Sequence, residues 1–497
     1  MSWHLGMNTP TPTSPNDLHG SNKRIDFISE LPLDVVVYNI VPRILSGGPI
    51  ALRLDIPNSY LDVCRTWCER FMVVAGNMRC RIRRLFSLSK QQEMRLKAAG
   101  PYVRRLDVIA ISDQSINQLA GTVKFTCLSE LTISMNGSQT AYHHFFSTLP
   151  NLTYLKITYN SPAYEPFQVY DILDQCTKLT RLDLTLDDNT TMVTSNDNQH
   201  PMYHNLVHLQ AIRGETGTDT MYPDHIYSRG IYWEKSECDM FIPLLRHLHN
   251  LHTLQLSHPP SEAALTTIHQ HCPQLQQLIL SQYHARAVTG IVQQQQQQQQ
   301  GLRLLRIHHI SFEGDYLTKL ITQYHSTLES IVFHVHLDIP VPFNENLVFE
   351  LKQLRSFQYN SRYYLPFIDW VINHAPNLES IQLPSDMQHT DNLRTLMHRP
   401  LGRIELECAS RHQPDHWQYL QHHIQLGNES RLEEIKCDIS LIQNGSWMYL
   451  IPQLNHLKSL ELVFQFDEMY LFSCLDSSID PSQKPEVTGD MDQTVVK

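Results

Sequence analysis

The sequence predicts an α/β solenoid: a curved parallel sheet with helices along its convex side, preceded by a small α-helical domain. Three observations carry this. A sextet of the form Leu-x-x-Leu-x-Leu returns along most of the 497 residues. Several copies follow a stretch whose apolar residues fall at helical spacing, with a tight turn at Pro or Cys-Pro between the two. Each copy has a single apolar face, so each needs a neighbour to cover it.

The unit is clearest from Ser261 to Leu280. Ser261-Glu262 is a helix start, Leu265 and Ile268 share one helix face, Cys272-Pro273 turns the chain, and Leu275, Leu278 and Leu280 form the sextet. Val103-Leu106-Val108 reads as the first copy, followed by Leu128-Leu131-Ile133, Leu152-Leu155-Ile157, Leu179-Leu182-Leu184 and the looser Leu206-Leu209-Ala211. Leu251-Leu254-Leu256, Leu302-Leu305-Ile307, Leu328-Ile331-Phe333 and Leu354-Phe357-Tyr359 continue the series. Leu378-Ile381-Leu383, Leu401-Ile404-Leu406, Leu432-Ile435-Cys437 and Leu457-Leu460-Leu462 complete it. Most starts fall about 23–27 residues apart, the range of leucine-rich repeats. Three or four buried apolar side chains contribute roughly 1.5–3 kcal/mol each. Ordering the backbone costs about 1–2 kcal/mol per residue, so a lone copy is unstable and the copies must stack. The array resembles the helix-containing leucine-rich repeats, with turns such as Leu149-Pro150-Asn151-Leu152 and Ala375-Pro376-Asn377-Leu378 before the strand. It lacks a regular Asn or Cys after the sextet, which predicts an uneven internal ladder.

Composition narrows the class. Hydrophobic residues make up 41%, enough for a large core, and no run of about 18 uncharged apolar residues suggests a membrane span. The first residues lack a basic start and an apolar stretch, so no signal peptide is expected. The ten cysteines are scattered and mostly at apolar positions, as reduced core residues in a reducing compartment would be. Asn-x-Ser/Thr triplets at Asn151, Asn189 and Asn444 are read as chance matches. The net charge is −11, with basic residues concentrated between Leu61 and Arg105, which makes the body of the protein a poor nucleic-acid binder.

In chain order, residues 1–24 are rich in Pro, Thr, Ser and Asn and are expected to be a disordered tail. Residues 25–98 are expected to be a helical domain with a connecting helix. Pro32 sets a first turn, Asp34 suits the helix N-terminus, and an apolar face follows. After Gly47-Gly48-Pro49, a second amphipathic helix carries Leu61, Cys64, Cys68 and Phe71 at three-to-four spacing. Cys64 and Cys68 lack the further ligands a zinc site needs and are read as core residues, and no metal is expected. The basic stretch Arg79–Arg84 is read as a solvated connecting helix.

Leu31-Pro32 with Asp34 and an apolar helix, then Val63-Cys64-Arg65-Thr66-Trp67, resembles the F-box. The two halves are separated by an insertion around 46–57, and Asn39 takes a position that the family usually fills with an apolar residue. An F-box followed by leucine-rich repeats is the layout of the F-box/leucine-rich-repeat proteins. The resemblance implies a substrate-recognition subunit of an SCF-type (cullin–RING) ubiquitin ligase. It implies a Skp-type adaptor and cullin as partners, a protein target, no catalysis by the chain itself, no cofactor, no nucleic acid or membrane, and a cytoplasmic or nuclear location. Carried over from the motif, the adaptor contacts are Leu31, Pro32, Val35, Val36, Ile40, Leu61, Val63, Cys64 and Trp67. One alternative stays open: the protein is an interaction scaffold with no ubiquitin link, its N-terminal helices serving only to cap the solenoid.

Residues 99–470 are assigned to the solenoid. Side chains alternate along a strand, so residues between the leucines face outward onto the concave side. Tyr154, Lys156, Arg181, Asp183, Arg306, His308, His334, Arg403 and Glu405 are the expected target contacts there, a row of mixed sign that suits a protein partner. The step from Leu206 to Leu251 is nearly twice the period, and its extra segment, about 213–238, contains Tyr227 and Trp233. It is either a partner-contacting loop or a degenerate repeat with buried aromatics. A glutamine run at 293–300 is read as a solvated helix extension, and 471–497 as a disordered acidic tail. The 28 histidines are scattered, and no His-Glu-x-x-His, Gly-x-Ser-x-Gly or phosphate-binding loop is present, so no catalytic centre is expected.

Overall fold

The structure, a computed structural model, describes residues 31, 35, 79–83, 93, 96–97, 100–109, 112–136, 138–160, 166–187, 190, 192, 200–213, 237–257, 260–280, 301–308, 316–334, 343–344, 346–360, 366–383, 396, 401–406, 415–438 and 447–463. Its frame is one parallel sheet of fifteen strands in sequential order. The strands are β1 (Arg79–Arg83), β2 (Arg105–Ile109), β3 (Glu130–Met135), β4 (Tyr154–Tyr159), β5 (Arg181–Leu186), β6 (His208–Arg213), β7 (Thr253–Leu256) and β8 (Gln277–Leu280). They continue as β9 (Leu304–His308), β10 (Ser330–His334), β11 (Ser356–Asn360), β12 (Ser380–Leu383), β13 (Arg403–Leu406), β14 (Glu434–Asp438) and β15 (Ser459–Val463). Strictly sequential parallel order over this many strands is the arrangement of a leucine-rich-repeat solenoid, as the sextet predicts.

Helices return the chain between many of the strands: α1 (Asp113–Thr122), α2 (Gln139–Ser147), α3 (Val169–Gln175), α4 (Ile242–Leu245), α5 (Glu262–His271), α6 (Tyr316–Tyr324), α7 (Pro366–His374), α8 (Asp415–Leu426) and α9 (Trp447–Leu450). Their starts follow local chemistry. Ser261 caps α5 by accepting from Ala264 N at 3.1 Å, and Ser112 caps α1 from Ser115 N at 3.3 Å. One face of each meets the sheet, through Ile116 and Leu119 in α1 and Tyr142, Phe145 and Phe146 in α2, all buried.

The sextet leucines form one contiguous core that runs the length of the sheet. Around β10–β12 aromatic side chains pack together within this core. Phe367 meets Phe357 edge-on at 6.0 Å and Phe343 at 4.9 Å, while Trp370 Nε1 donates to Leu347 O at 3.2 Å. Cys176 and Cys272 are buried with their thiols pushed up to about 12 by burial, and Cys437 is buried too; Cys127 is exposed.

The backbone repeats one device at every step from β2 to β15. A single carbonyl just before one strand accepts from two successive amides of the next turn. Arg104 O accepts from Ser129 N and Glu130 N, and Glu433 O from Lys458 N and Ser459 N. An asparagine ladder adds to it. Asn151 Nδ2 donates to Thr126 O, Asn205 to Thr177 O, Asn250 to His204 O and Asn377 to Lys352 O, at 2.8–2.9 Å. The ladder is uneven, as expected, but its asparagines stand immediately before the sextet.

Two expectations change. The connecting helix expected over Arg79–Arg84 is instead strand β1, paired in register with β2, so the sheet begins before residue 99. Arg-Cys-Arg-Ile-Arg alternates with a period of two, and Ile82 is buried at 1% exposure, which a solvated helix would not require. At the long step, β6 pairs β7 directly, His208 opposite Thr253, so no further strand stands between them. The insertion therefore does not add a repeat to the sheet. Tyr227 and Trp233 lie outside the described residues.

Candidate functional site

The parallel register lines the outward positions into columns. Arg105, Glu130, Tyr154, Arg181, His208, Thr253, Gln277 and Leu304 stand side by side, and the column runs on through Ser330, Ser356, Ser380 and Arg403 to Glu434. The next column holds Asp107, Thr132, Lys156, Asp183, Gln210, Gln255, Ile279, Arg306, Val332, Gln358, Gln382, Glu405 and Lys436. This broad concave face divides into three parts.

On β4–β6, Asp183 is the hub. It accepts from Arg181 Nε at 3.1 Å and Nη2 at 3.0 Å, and from Tyr154 Oη at 2.8 Å. The Arg181 guanidinium also lies 4.9 Å from the Tyr154 ring centroid, a cation–π distance. The hydrogen bond to Asp183 raises the Arg181 pKa further, locking it in the charged form. His208 Nε2 stands 3.6 Å from Asp183 Oδ1. Burial, reinforced by Arg181, lowers the His208 pKa against the opposing pull of Asp183.

On β13–β15, Lys436 Nζ bridges Glu405 at 2.7 Å and Glu461 at 3.9 Å, and Arg403 pairs with Glu434 at 3.4 Å. Asp183 and Glu405, expected to be open for a target, are instead 3% and 9% exposed. Cations on the same and neighbouring strands cover them, because carboxylates brought that close to a cation are more stable paired than hydrated.

Between these clusters, the outward positions of β7–β12 carry hydroxyl, amide and apolar side chains, and among the described residues Arg306 is their one arginine or lysine. His308 and His334 stack at 4.8 Å, with their rings within 3° of parallel. Arg306 Nε is buried without a hydrogen-bond partner. Ile279 and Leu304 are half-buried here, and Val332 is 2% exposed yet stands outside the contiguous leucine core. Sequence reading missed this apolar trio and His208. Strict alternation from the sextet would have placed all four, but an apolar residue facing outward gives no signal that distinguishes it from core.

Of the expected adaptor contacts, Leu31 is half-buried and packs against the solenoid core, and Val35 is 37% exposed. Pro32, Val36, Ile40, Leu61, Val63, Cys64 and Trp67 lie outside the described residues.

No protein-family profile and no curated protein matches the sequence. Among solved structures, the complex of Rad7 and Elc1 in yeast is similar with a TM-score of 0.34 and 13% identity, covering 83% of this chain and 88% of that one. The Toll–Spatzle complex of Drosophila is similar with a TM-score of 0.35 and 13% identity over 81% of this chain. The match covers 48% of that second chain, so this protein spans about half its length. Likenesses this distant carry no functional conclusion; the leucine-rich-repeat solenoid stands on the strand order and register above.

Proposed function

We propose that the chain is the substrate-recognition subunit of an SCF-type (cullin–RING) ubiquitin ligase, holding a Skp-type adaptor through its N-terminal helices and a target protein on the concave face. The observation that carries the reading is the joint layout: the Leu31-Pro32 and Val63-Cys64-Arg65-Thr66-Trp67 motifs stand directly ahead of a fifteen-strand repeat sheet with a polar, mixed-sign face. The mechanism is tethering. Holding the target beside the ligase raises its effective concentration at the charged ubiquitin carrier, so no residue of this chain needs to perform chemistry. Such a protein works in the cytoplasm or nucleus.

One observation favours a second reading, an interaction scaffold with no ubiquitin link. Leu31, the first residue of the motif, packs against the solenoid core, as a cap residue would. The two roles are compatible, because Leu31 stands in a bend ahead of the helical Val35, and Val35 is exposed. Co-purification with a Skp-type adaptor and cullin decides. The wild-type chain should retain both, and Val35→Glu should lose them with its circular dichroism unchanged. A wild-type chain that retains neither leaves the scaffold.

A further inference from the structure

The middle of the concave face holds a cation that has no carboxylate partner among the described residues. Each of the other arginines whose side chains are described on this face has a carboxylate: Arg105 has Glu130 at 3.1 Å, Arg181 has Asp183 and Arg403 has Glu434. Arg306 has no ion pair among the described residues, and its Nε is buried with no hydrogen-bond partner. Leaving a buried donor of a charged group unmade is unfavourable, and a bound water or a ligand can supply the acceptor.

The surroundings define that ligand. By register Arg306 stands between Ile279 and Val332, with Leu304 and His308 two residues away on its own strand, roughly 6.6 Å along it. The stacked pair His308–His334 forms a flat aromatic step beside it. A planar guanidinium matches one carboxylate through two parallel hydrogen bonds. A phosphoryl dianion is better served by several cations, and Arg306 stands as the one arginine or lysine among the described outward positions of β7–β12. The half-buried Ile279 and Leu304 beside it suit an apolar side chain next to that carboxylate, while Val332 is buried on the other side.

We infer that Arg306 is the anchor of a peptide-docking site that takes an extended segment presenting one Asp or Glu carboxylate next to an apolar side chain. The inference rests on the proposed function only in naming the occupant a target; the site itself stands on the unpaired arginine. The test uses the purified full-length chain and short immobilised peptides, degenerate in apolar and uncharged residues around a fixed central Glu, Gln or phosphoserine. Wild type should retain the Glu set about tenfold over the Gln set. Arg306→Gln should abolish that preference with circular dichroism unchanged, and Arg306→Lys, which keeps the charge but not the planar fork, should retain part of it. Equal retention of the Glu and Gln sets, retention of neither, or a preference that survives Arg306→Gln overturns the site. Stronger retention of the phosphoserine set overturns the carboxylate assignment. Adaptor co-purification from the same preparations separates this result from the ligase reading, because adaptor binding lost with peptide binding kept removes only the latter.

Discussion

Replacing Asp183 with Ala tests how the concave face is held. The carboxylate is buried and accepts two bonds from Arg181 and one from Tyr154. Hydrogen bonds to charged groups contribute about 1.5–3 kcal/mol each, but they do not add in full here. The Arg181 side chain is 46% exposed and rehydrates once its partner is gone, so the expected loss is about 2 kcal/mol. The neighbouring pair Arg105–Glu130 supplies the control. Its side chains are 57% and 37% exposed, and Glu130→Ala should cost about 0.5 kcal/mol or less. Solenoids open locally, so native-state hydrogen exchange of the β4–β6 amides is the assay. Two kcal/mol corresponds to roughly thirtyfold faster exchange there in Asp183→Ala. If Asp183→Ala exchanges no faster than Glu130→Ala, or more slowly than wild type, the desolvation of the buried carboxylate outweighs its bonds and the reasoning fails.

Other predictions concern stability and the insertion. Burial lowers the His423 pKa to about 4, and the pKa values of His208 and His269 fall in the same direction. The unfolded chain therefore binds protons that the fold refuses. The contribution is complete above about pH 6.5 and is lost as pH falls towards 4, up to about 3 kcal/mol for His423. A urea midpoint that falls across that window, and falls less in His423→Gln, would agree; a flat profile would not. Asn377→Ala should remove one rung of the asparagine ladder and cost about 1 kcal/mol, read as faster exchange in β11 and β12 and unchanged exchange in β4. Replacing 214–236 with a short Gly-Ser linker should preserve protection of β6 and β7, because these strands pair directly; loss of that protection would show that the segment holds them together.

The sextet made the sheet legible because three apolar positions per turn, repeated at a steady period, leave few other ways to bury them. The strand positions and the outward alternation of Tyr154, Arg181 and Arg306 follow from it, and the Ser261 cap follows from the Ser-Glu start of α5. β1 was not legible in the same way: three arginines in five residues look solvated, and only Cys80 and Ile82 between them carry the alternation. The partners of the outward residues were less legible still. Arg181 and Asp183 are two residues apart in sequence, but the Tyr154 that completes their network comes from the preceding turn, and register across turns is a tertiary fact. Arg306 differs from Arg181 already in the chain, with His308 where Arg181 has Asp183, but only the register shows that the strands on either side bring Ile279 and Val332 to it and no carboxylate.

The central claim is that one chain bridges two partners through separate surfaces, and sequential capture on a biosensor tests it directly. An immobilised Skp-type adaptor should capture the full-length chain, and the captured chain should then take up the Glu-centred peptide set. Arg306→Gln should dock on the adaptor without taking up peptide, and Val35→Glu should bind peptide in solution without docking. Failure of the wild-type chain to dock on the adaptor would contradict the account.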